Sequence, residues 1–148
     1  MERVHIMWGS KVSRRAVVTI AAALSITAMG AGTAQAGNGT CNTGVLSGEF
    51  CLFYNSGYKG GTYDSNVNKS AYNSPDVFYG TTHPLNNNSA SVRNYNSSYY
   101  AHGYQFYNYD GWNYTVPPYG TTDSWGGALW EVYELPSTVK NGISSHKI

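Results

Sequence analysis

Glu131 and Glu134 form the one closely spaced carboxylate pair in this chain. Hydrolysis of a glycosidic bond needs two such groups converging across it. The stretch Ala128–Leu135 alternates like a strand, setting Leu129, Glu131, Tyr133 and Leu135 on one face and Trp130, Val132 and Glu134 on the other. The two acids then point apart. The remaining acids of the later chain, Glu49, Asp64, Asp76, Asp110 and Asp123, are scattered without paired spacing. His83, His102 and His146 match no metal-ligand pattern such as H-E-x-x-H. Ser144-Ser145-His146 places hydroxyls beside an imidazole, but neighbours on a strand face opposite ways. Neither a G-x-S-x-G elbow nor a phosphate loop occurs. The chain reads as a non-enzyme.

What remains is chemistry of recognition. The chain carries 14 Tyr, 4 Trp and 17 Gly with only 11% charged residues. Tyr supplies stiff contact area, and Asn and Ser supply adaptable hydrogen bonds. The same composition also builds an all-β core whose turns need Asn and Gly, and so many aromatics argue against disorder.

The elements that must position these residues are short strands. Phe50–Tyr54 is an aromatic and aliphatic run; Asn55, Ser56 and Gly57 break it, and Gly60-Gly61 turn the chain toward Tyr63. Tyr54-Asn55-Ser56-x-Tyr58 is echoed by Tyr95-Asn96-Ser97-x-Tyr99. Behind each copy lies an Asn/Ser segment ending in Ser-x-basic: Asn86 to Arg93, then Lys140 to Lys147. Two supersecondary units forming one core are expected. On this register the second unit is the longer. Its excess falls between Tyr107 and Val139, a turn-rich region carrying Trp112, Tyr114, Pro117, Pro118, Tyr119 and Trp125. Long connections in a compact domain tend to carry function, so these six residues are the candidate binding loop. Asp64–Asn73 reads as loop and Val77–Tyr79 as a short strand.

Residues 1–36 read as a secretory signal peptide. Arg3, Lys11, Arg14 and Arg15 precede an apolar run from Ala16 to Met29, and Ala34-Gln35-Ala36 supplies an A-x-A cleavage signal. The apolar run is too short to span a bilayer, which takes about 20 residues. Cleavage leaves one domain, 37–148, secreted and extracellular, with no membrane attachment and an expected monomer. Losing four basic residues and Glu2 makes that domain slightly acidic, which disfavours nucleic acid as a partner. Cys41 and Cys51 are the two cysteines, and in an exported chain a disulfide between them is expected.

Two resemblances follow from these residues. Phe53-xxxx-Tyr58-x-Gly60, with Ser91 downstream, resembles the aromatic hairpin of βγ-crystallin Greek keys and the serine that packs over it. Cys41, Gly48, Cys51 to Gly60, Asn86 to Arg93 and Ser145-His146-Lys147 together resemble the streptomycete metalloproteinase-inhibitor family. The resemblance implies an all-β fold, a βγ-crystallin-like sandwich of two Greek-key motifs. It also implies a secreted inhibitor of metallopeptidases that offers a rigid loop to a protease cleft. The family pattern includes a second disulfide in the later half, and this chain has no cysteine after Cys51. Pro117-Pro118 and aromatic packing would have to stiffen the loop instead. The alternative is a secreted carbohydrate- or cell-wall-binding module, or a structural βγ-crystallin-like domain. No cofactor is required by either reading. Calcium enters through the N/D-N/D-x-x-S/T-S pattern of βγ-crystallins, which marks Asn86, Asn87, Ser91, Asn141, Ser144 and Ser145 as candidate ligands. Ala90 and Lys140 depart from that pattern.

Overall fold

In the computed structural model, residues 37–43 and 48–148 are described. The expected signal peptide, 1–36, lies outside the described residues. Among the described residues seven strands run in order: β1 (Phe50–Asn55), β2 (Lys59–Ser65), β3 (Ser91–Asn94), β4 (Ala101–Tyr104), β5 (Asn113–Val116), β6 (Glu131–Val132) and β7 (Ser145–Lys147). One 3-10 turn, Tyr107–Tyr109, sits between β4 and β5. Among the described residues no helix is long and apolar enough to cross a membrane.

The strands form two antiparallel sheets, ordered β2-β1-β3-β6 and β5-β4-β7. Each unit gives its third strand to the other's sheet. β6 from the second unit pairs with β3, Val92 opposite Val132 and Arg93 opposite Glu131. In return the segment from Lys69 to Tyr72 lies along β7: the Lys69 and His146 backbones exchange hydrogen bonds at 2.9 Å each, and Tyr72 N donates to Ser144 O. Asp64–Asn73 is therefore not wholly loop. Its polar surface conceals Tyr72, which turns inward and is buried. This exchange makes the two units one core. Phe50, Leu52, Tyr63 and Val92 meet Ala101 and Val116 there, and Tyr72, Phe78, Leu85, Leu135 and Ile143 from the connections close its edges.

The repeat is real, but its register differs from the one the letters suggest. Ser91 Oγ donates to Asn55 O at 2.7 Å and accepts from Tyr58 N at 3.1 Å. Ser145 Oγ donates to Phe106 O at 2.6 Å and accepts from Tyr109 N at 3.2 Å. Phe53 and Tyr58 meet edge-on at 5.4 Å, as Tyr104 and Tyr109 do at 5.7 Å. Tyr58, Gly60, Tyr109 and Gly111 all take positive φ. The second hairpin is thus Tyr104-xxxx-Tyr109-x-Gly111, in register with Phe53-xxxx-Tyr58-x-Gly60. Tyr95-Asn96-Ser97 is no hairpin. Asn96 is buried, and its Oδ1 accepts the N–H groups of Ser98 and Tyr99 to turn the linker between the units.

The Ser-x-basic endings have a physical reason. The cation two residues past each serine lies over the hairpin tyrosine: Arg93 Cζ is 3.7 Å from the Tyr58 ring centroid, and Lys147 Nζ is 4.4 Å from that of Tyr109.

Two other expectations change. Ala128–Leu135 is a strand only at Glu131–Val132; Leu135 is buried while Tyr133, two residues before it, is exposed. The chain bends at Tyr133 and Glu134 after β6 and brings Leu135 into the core, where its N–H bonds Ala90 O. Val77–Tyr79 makes single bridges, Val77 with Pro84 and Tyr79 with Thr62, rather than a strand.

At the N-terminal end, Cys41 and Cys51 are disulfide-bonded. Asp64 accepts the N–H groups of Asn38 and Gly39, so the leading segment is held on β2 as well as β1.

Candidate functional site

With the register corrected, the region Tyr107–Gly127 divides into three parts. Residues 107–111 are the second hairpin turn and 113–116 are β5. Trp112 and Tyr114 pack against the core from that sheet, not from a free loop. Only 117–130 is a true connection.

That connection carries a small hairpin of its own. Leu129 N donates to Thr121 O, Thr122 bridges Ala128, and Asp123 N donates to Gly127 O at 2.9 Å. Asp123 Oδ1 then accepts from Trp125 N at 2.9 Å and from Gly127 N at 2.7 Å, an Asx turn closed around the tip. Gly126 sits at φ 80, a conformation other side chains rarely take. Gly127 has no such angle, but a Cβ there would press on the Asp123 carboxylate at 2.7 Å. At the apex Trp125 is 92% exposed, the most exposed large apolar side chain among the described residues.

The feet of the hairpin are gripped by one residue. Asn94, fully buried, has its Nδ2 within hydrogen-bond reach of Pro117 O (3.0 Å), Val116 O (3.1 Å) and Tyr99 O (2.8 Å). Its backbone N–H donates to Trp130 O at the other foot, 2.9 Å away. Tyr119 and Trp130 pack at 4.6 Å between ring centroids, with Tyr95 beneath both at 5.7 and 5.2 Å. Tyr119 N also bonds Asn96 O. Pro117 and Pro118 lead into this base, Tyr119 belongs to it, and Trp125 alone crowns the tip. Asn94 and Asp123 escaped the sequence reading. The Asp-Ser-Trp-Gly-Gly spacing around Asp123 was the available signal, since Asp before glycines is turn chemistry. Nothing local marked Asn94.

The candidate acids and histidines have separate structural partners. Glu131 pairs with Arg93 at 3.2 Å, and Glu134 with Lys140 at 2.8 Å. Asp76 pairs with Lys69 at 2.9 Å. His83 stacks flat on Tyr54, and His102 meets Thr115 Oγ1. His146 is buried among Phe50, Tyr63 and Tyr72, its Nδ1 2.7 Å from Tyr72 Oη and its Nε2 2.9 Å from Val67 O. A carbonyl only accepts, so Nε2 carries the proton and Nδ1 accepts from the tyrosine. Burial pulls this imidazole down to about 4, keeping it neutral.

The candidate calcium residues fall in two loops that clasp each other. Asn87 N donates to Ile143 O and Asn141 N to Ser89 O, with Asn87 and Asn141 both at positive φ. Ser144 Oγ donates to Asn87 Oδ1 at 2.8 Å. Ser91 and Ser145 use their hydroxyls on the two hairpins. Asn86 Oδ1 is buried with no hydrogen-bond partner among the described residues, an acceptor of the set left open. Among the described residues, no three His, Cys, Asp or Glu side chains gather into a metal-holding group.

Comparison with known proteins agrees with this architecture. No curated protein matches the chain. A solved structure described as "Evolution of the eye lens beta-gamma-crystallin domain fold" superimposes with a TM-score of 0.51 at 16% identity, covering 74% of this chain and 91% of that one. A βγ-crystallin domain from Clostridium beijerinckii gives 0.47 at 13% identity, covering 67% and 93%. A βγ-crystallin from an archaeon gives 0.45 at 16%, covering 67% and 94%. At such identity the first of these shows the fold alone: two interlocked Greek keys of βγ-crystallin type. The family model for peptidase inhibitor family I36 matches residues 34–116, more than half of the chain, and stops just before the Trp125 hairpin. The chain belongs to peptidase inhibitor family I36, a peptidase inhibitor built on a βγ-crystallin fold and not an enzyme.

Proposed function

We propose that the protein is a secreted, extracellular inhibitor of metallopeptidases that presents the hairpin 121–129, with Trp125 at its tip, to the protease cleft. One observation carries this reading: a nearly fully exposed tryptophan on a turn whose backbone is already bonded in place. A tip ordered before binding loses little conformational freedom on docking. Tryptophan is also, with Tyr and Arg, one of the residue types enriched among interface hot spots. The closure that the family achieves with a second disulfide is supplied here by the Asp123 carboxylate and by Asn94 at the feet. The protein acts as a monomer, because one tip fills one cleft, and export through the segment 1–36 suits the Cys41–Cys51 bridge.

The test is titration of a thermolysin-type metalloprotease with residues 37–148. Stoichiometric loss of activity is expected. A variant with 121–129 replaced by a Gly/Ser linker should keep the fold and lose inhibition. A wider replacement, from Trp112 to Trp125, would delete β5 and is uninformative. Full inhibition by the 121–129 variant would remove the loop from the mechanism, and no inhibition by the parent would remove metallopeptidases as the target.

A second reading, glycan or cell-wall binding, has one observation in its favour. An open cleft of about 700 Å³ is lined by Phe106, Tyr107 and Trp112 together with the amides of Asn86, Asn87 and Gln105. Retention on chitin or peptidoglycan, absent in Trp112→Phe, would support it. Calcium is assigned to the same edge, at Asn86, Asn87 and Ser144, on the strength of the open Asn86 Oδ1. These are neutral oxygens, so only millimolar affinity is expected. A melting temperature unmoved by millimolar calcium would end that assignment.

A further inference from the structure

The corrected register makes the two clasping loops equivalent residue by residue. Asn86-Asn87-Asn88-Ser89-Ala90-Ser91 corresponds to Lys140-Asn141-Gly142-Ile143-Ser144-Ser145. Each ends on its hairpin serine, each has its second residue in the left-handed region (Asn87 φ 57, Asn141 φ 55), and each second residue bonds the fourth carbonyl of the other loop. The first residues correspond as well, and both reach the hairpin position just past the serine-bound carbonyl. Asn86 Nδ2 donates to Tyr107 Oη at 3.2 Å, and Lys140 Nζ donates to Ser56 Oγ at 3.1 Å.

This symmetry exposes a difference in chemistry. The half at Asn86 offers side-chain oxygens from Asn86, Asn87 and Ser144; Lys140 borders this cleft as well, but its ammonium is bonded away from it, to Ser56 and Glu134. The equivalent half is a cavity of about 220 Å³ lined by Asn55, Ser56, Asn88, Ala90, Lys140 and Asn141. Ala90 has no oxygen where Ser144 has one, and Lys140 brings a positive charge where Asn86 brings an amide. A divalent cation needs several oxygens around it; Asn55, Ser56, Asn88 and Asn141 still carry some here, but the Lys140 ammonium stands among them, bonded to Ser56 Oγ, and its charge repels a metal.

We propose that Lys140 is a tethered cation, standing in its half of the clasp where an ion would otherwise stand and joining the first hairpin at Ser56 to the 134–141 segment at Glu134. The ammonium delivers its hydrogen bonds with no ion to recruit, and it makes this half of the fold independent of metal. Glu134 responds to it directly: the hydrogen bond from Lys140, and then its charge, hold that carboxyl below its usual range.

A surface ion pair between Lys140 and Glu134 would be the simpler role, and it predicts equal effects from either partner. The experiment compares thermal melting of Glu134→Gln and Lys140→Met in calcium-free buffer, with calcium calorimetry on the parent and on the double variant Ala90→Ser, Lys140→Asn. The tethered-cation role predicts a melting temperature several degrees lower for Lys140→Met and nearly unchanged for Glu134→Gln. It also predicts that the double variant binds one more calcium per chain than the parent does. Equal melting shifts for the two single variants, or a double variant that binds no additional ion, would overturn the proposal. So would a parent that binds two. If the double variant fails to fold, the melting comparison alone decides.

Discussion

Asp123→Ala separates loop order from fold stability. In the wild type one oxygen of Asp123 holds two N–H groups, those of Trp125 and Gly127, at 2.9 and 2.7 Å. Each such bond contributes about 0.5–1.5 kcal/mol net, the ordinary range, because solvent at the exposed tip screens the carboxylate's charge. Removing the carboxylate therefore releases about 1–3 kcal/mol of turn order. The core packing is untouched, so the melting temperature should fall by at most a few degrees, as far as the tip's own order contributes to folding. The rest of the loss falls on the inhibition constant, because a loosened tip must be ordered again at the protease surface. If all of it fell there, about 1–3 kcal/mol would correspond to a weakening of roughly 5- to 150-fold, which is the upper bound. Asp123→Asn keeps an oxygen acceptor and should stay within about fivefold of wild type. The assay is steady-state inhibition of the metalloprotease, with the protein's own cleavage between 121 and 129 followed by mass spectrometry. Faster nicking should accompany weaker inhibition in Asp123→Ala alone. An Asp123→Ala protein that inhibits as tightly as wild type would refute the argument that this turn is the pre-ordered element.

Trp125→Ala should weaken inhibition by at least tenfold with unchanged melting, and Trp125→Phe should recover part of it; the same titration reads both. Asn94→Ala should fail on both counts, with melting lowered through the orphaned Pro117 and Val116 carbonyls and inhibition weakened as the hairpin feet part, measured by thermal melting alongside inhibition. His146 sets an acid limit. Its folded value of about 4 lies below the unfolded 6.5, so the folded state binds protons less readily. The stability it protects is whole above pH 6.5 and falls as pH drops toward 4, by about 3 kcal/mol in total. Burial raises Asp64 and Glu49, which act with the opposite sign as they protonate, so His146→Gln is the control that should flatten the slope between pH 6.5 and 4 in urea titrations. Reduction of Cys41–Cys51 should cost about 3 kcal/mol, chiefly through the unfolded chain, read as a lower urea midpoint.

The fold was legible where one residue type has one physical use. Phe53, Tyr58, Gly60 and Ser91 reveal a hairpin because a ring pair, a positive φ and a hydroxyl clasp each demand their own chemistry. The second hairpin is hidden from a comparison of residue identities. Tyr95-Asn96-Ser97 copies Tyr54-Asn55-Ser56, whereas Asn55-Ser56-Gly57 corresponds to Phe106-Tyr107-Asn108 without one shared residue. What the hairpin needs at those places is a carbonyl for the serine and a left-handed turn, and Phe106 and Asn108 provide these through backbone groups that any sequence contains. The spacing Tyr104-xxxx-Tyr109-x-Gly111 held the answer. The site was legible as a stretch but not as a geometry. Trp125 stood out as an aromatic among turn residues, yet Trp112 and Tyr114 looked the same until β5 drew them onto the core. Asn94 was least legible of all. Its role depends on Pro117 and Trp130 arriving at one place from opposite ends of the loop, and only the exchange of third strands between the sheets brings β6, and with it Trp130, beside β3. The interlock that makes two units one core is thus also what anchors the loop, so a binding hairpin held this way can tolerate the absence of a covalent bridge across it.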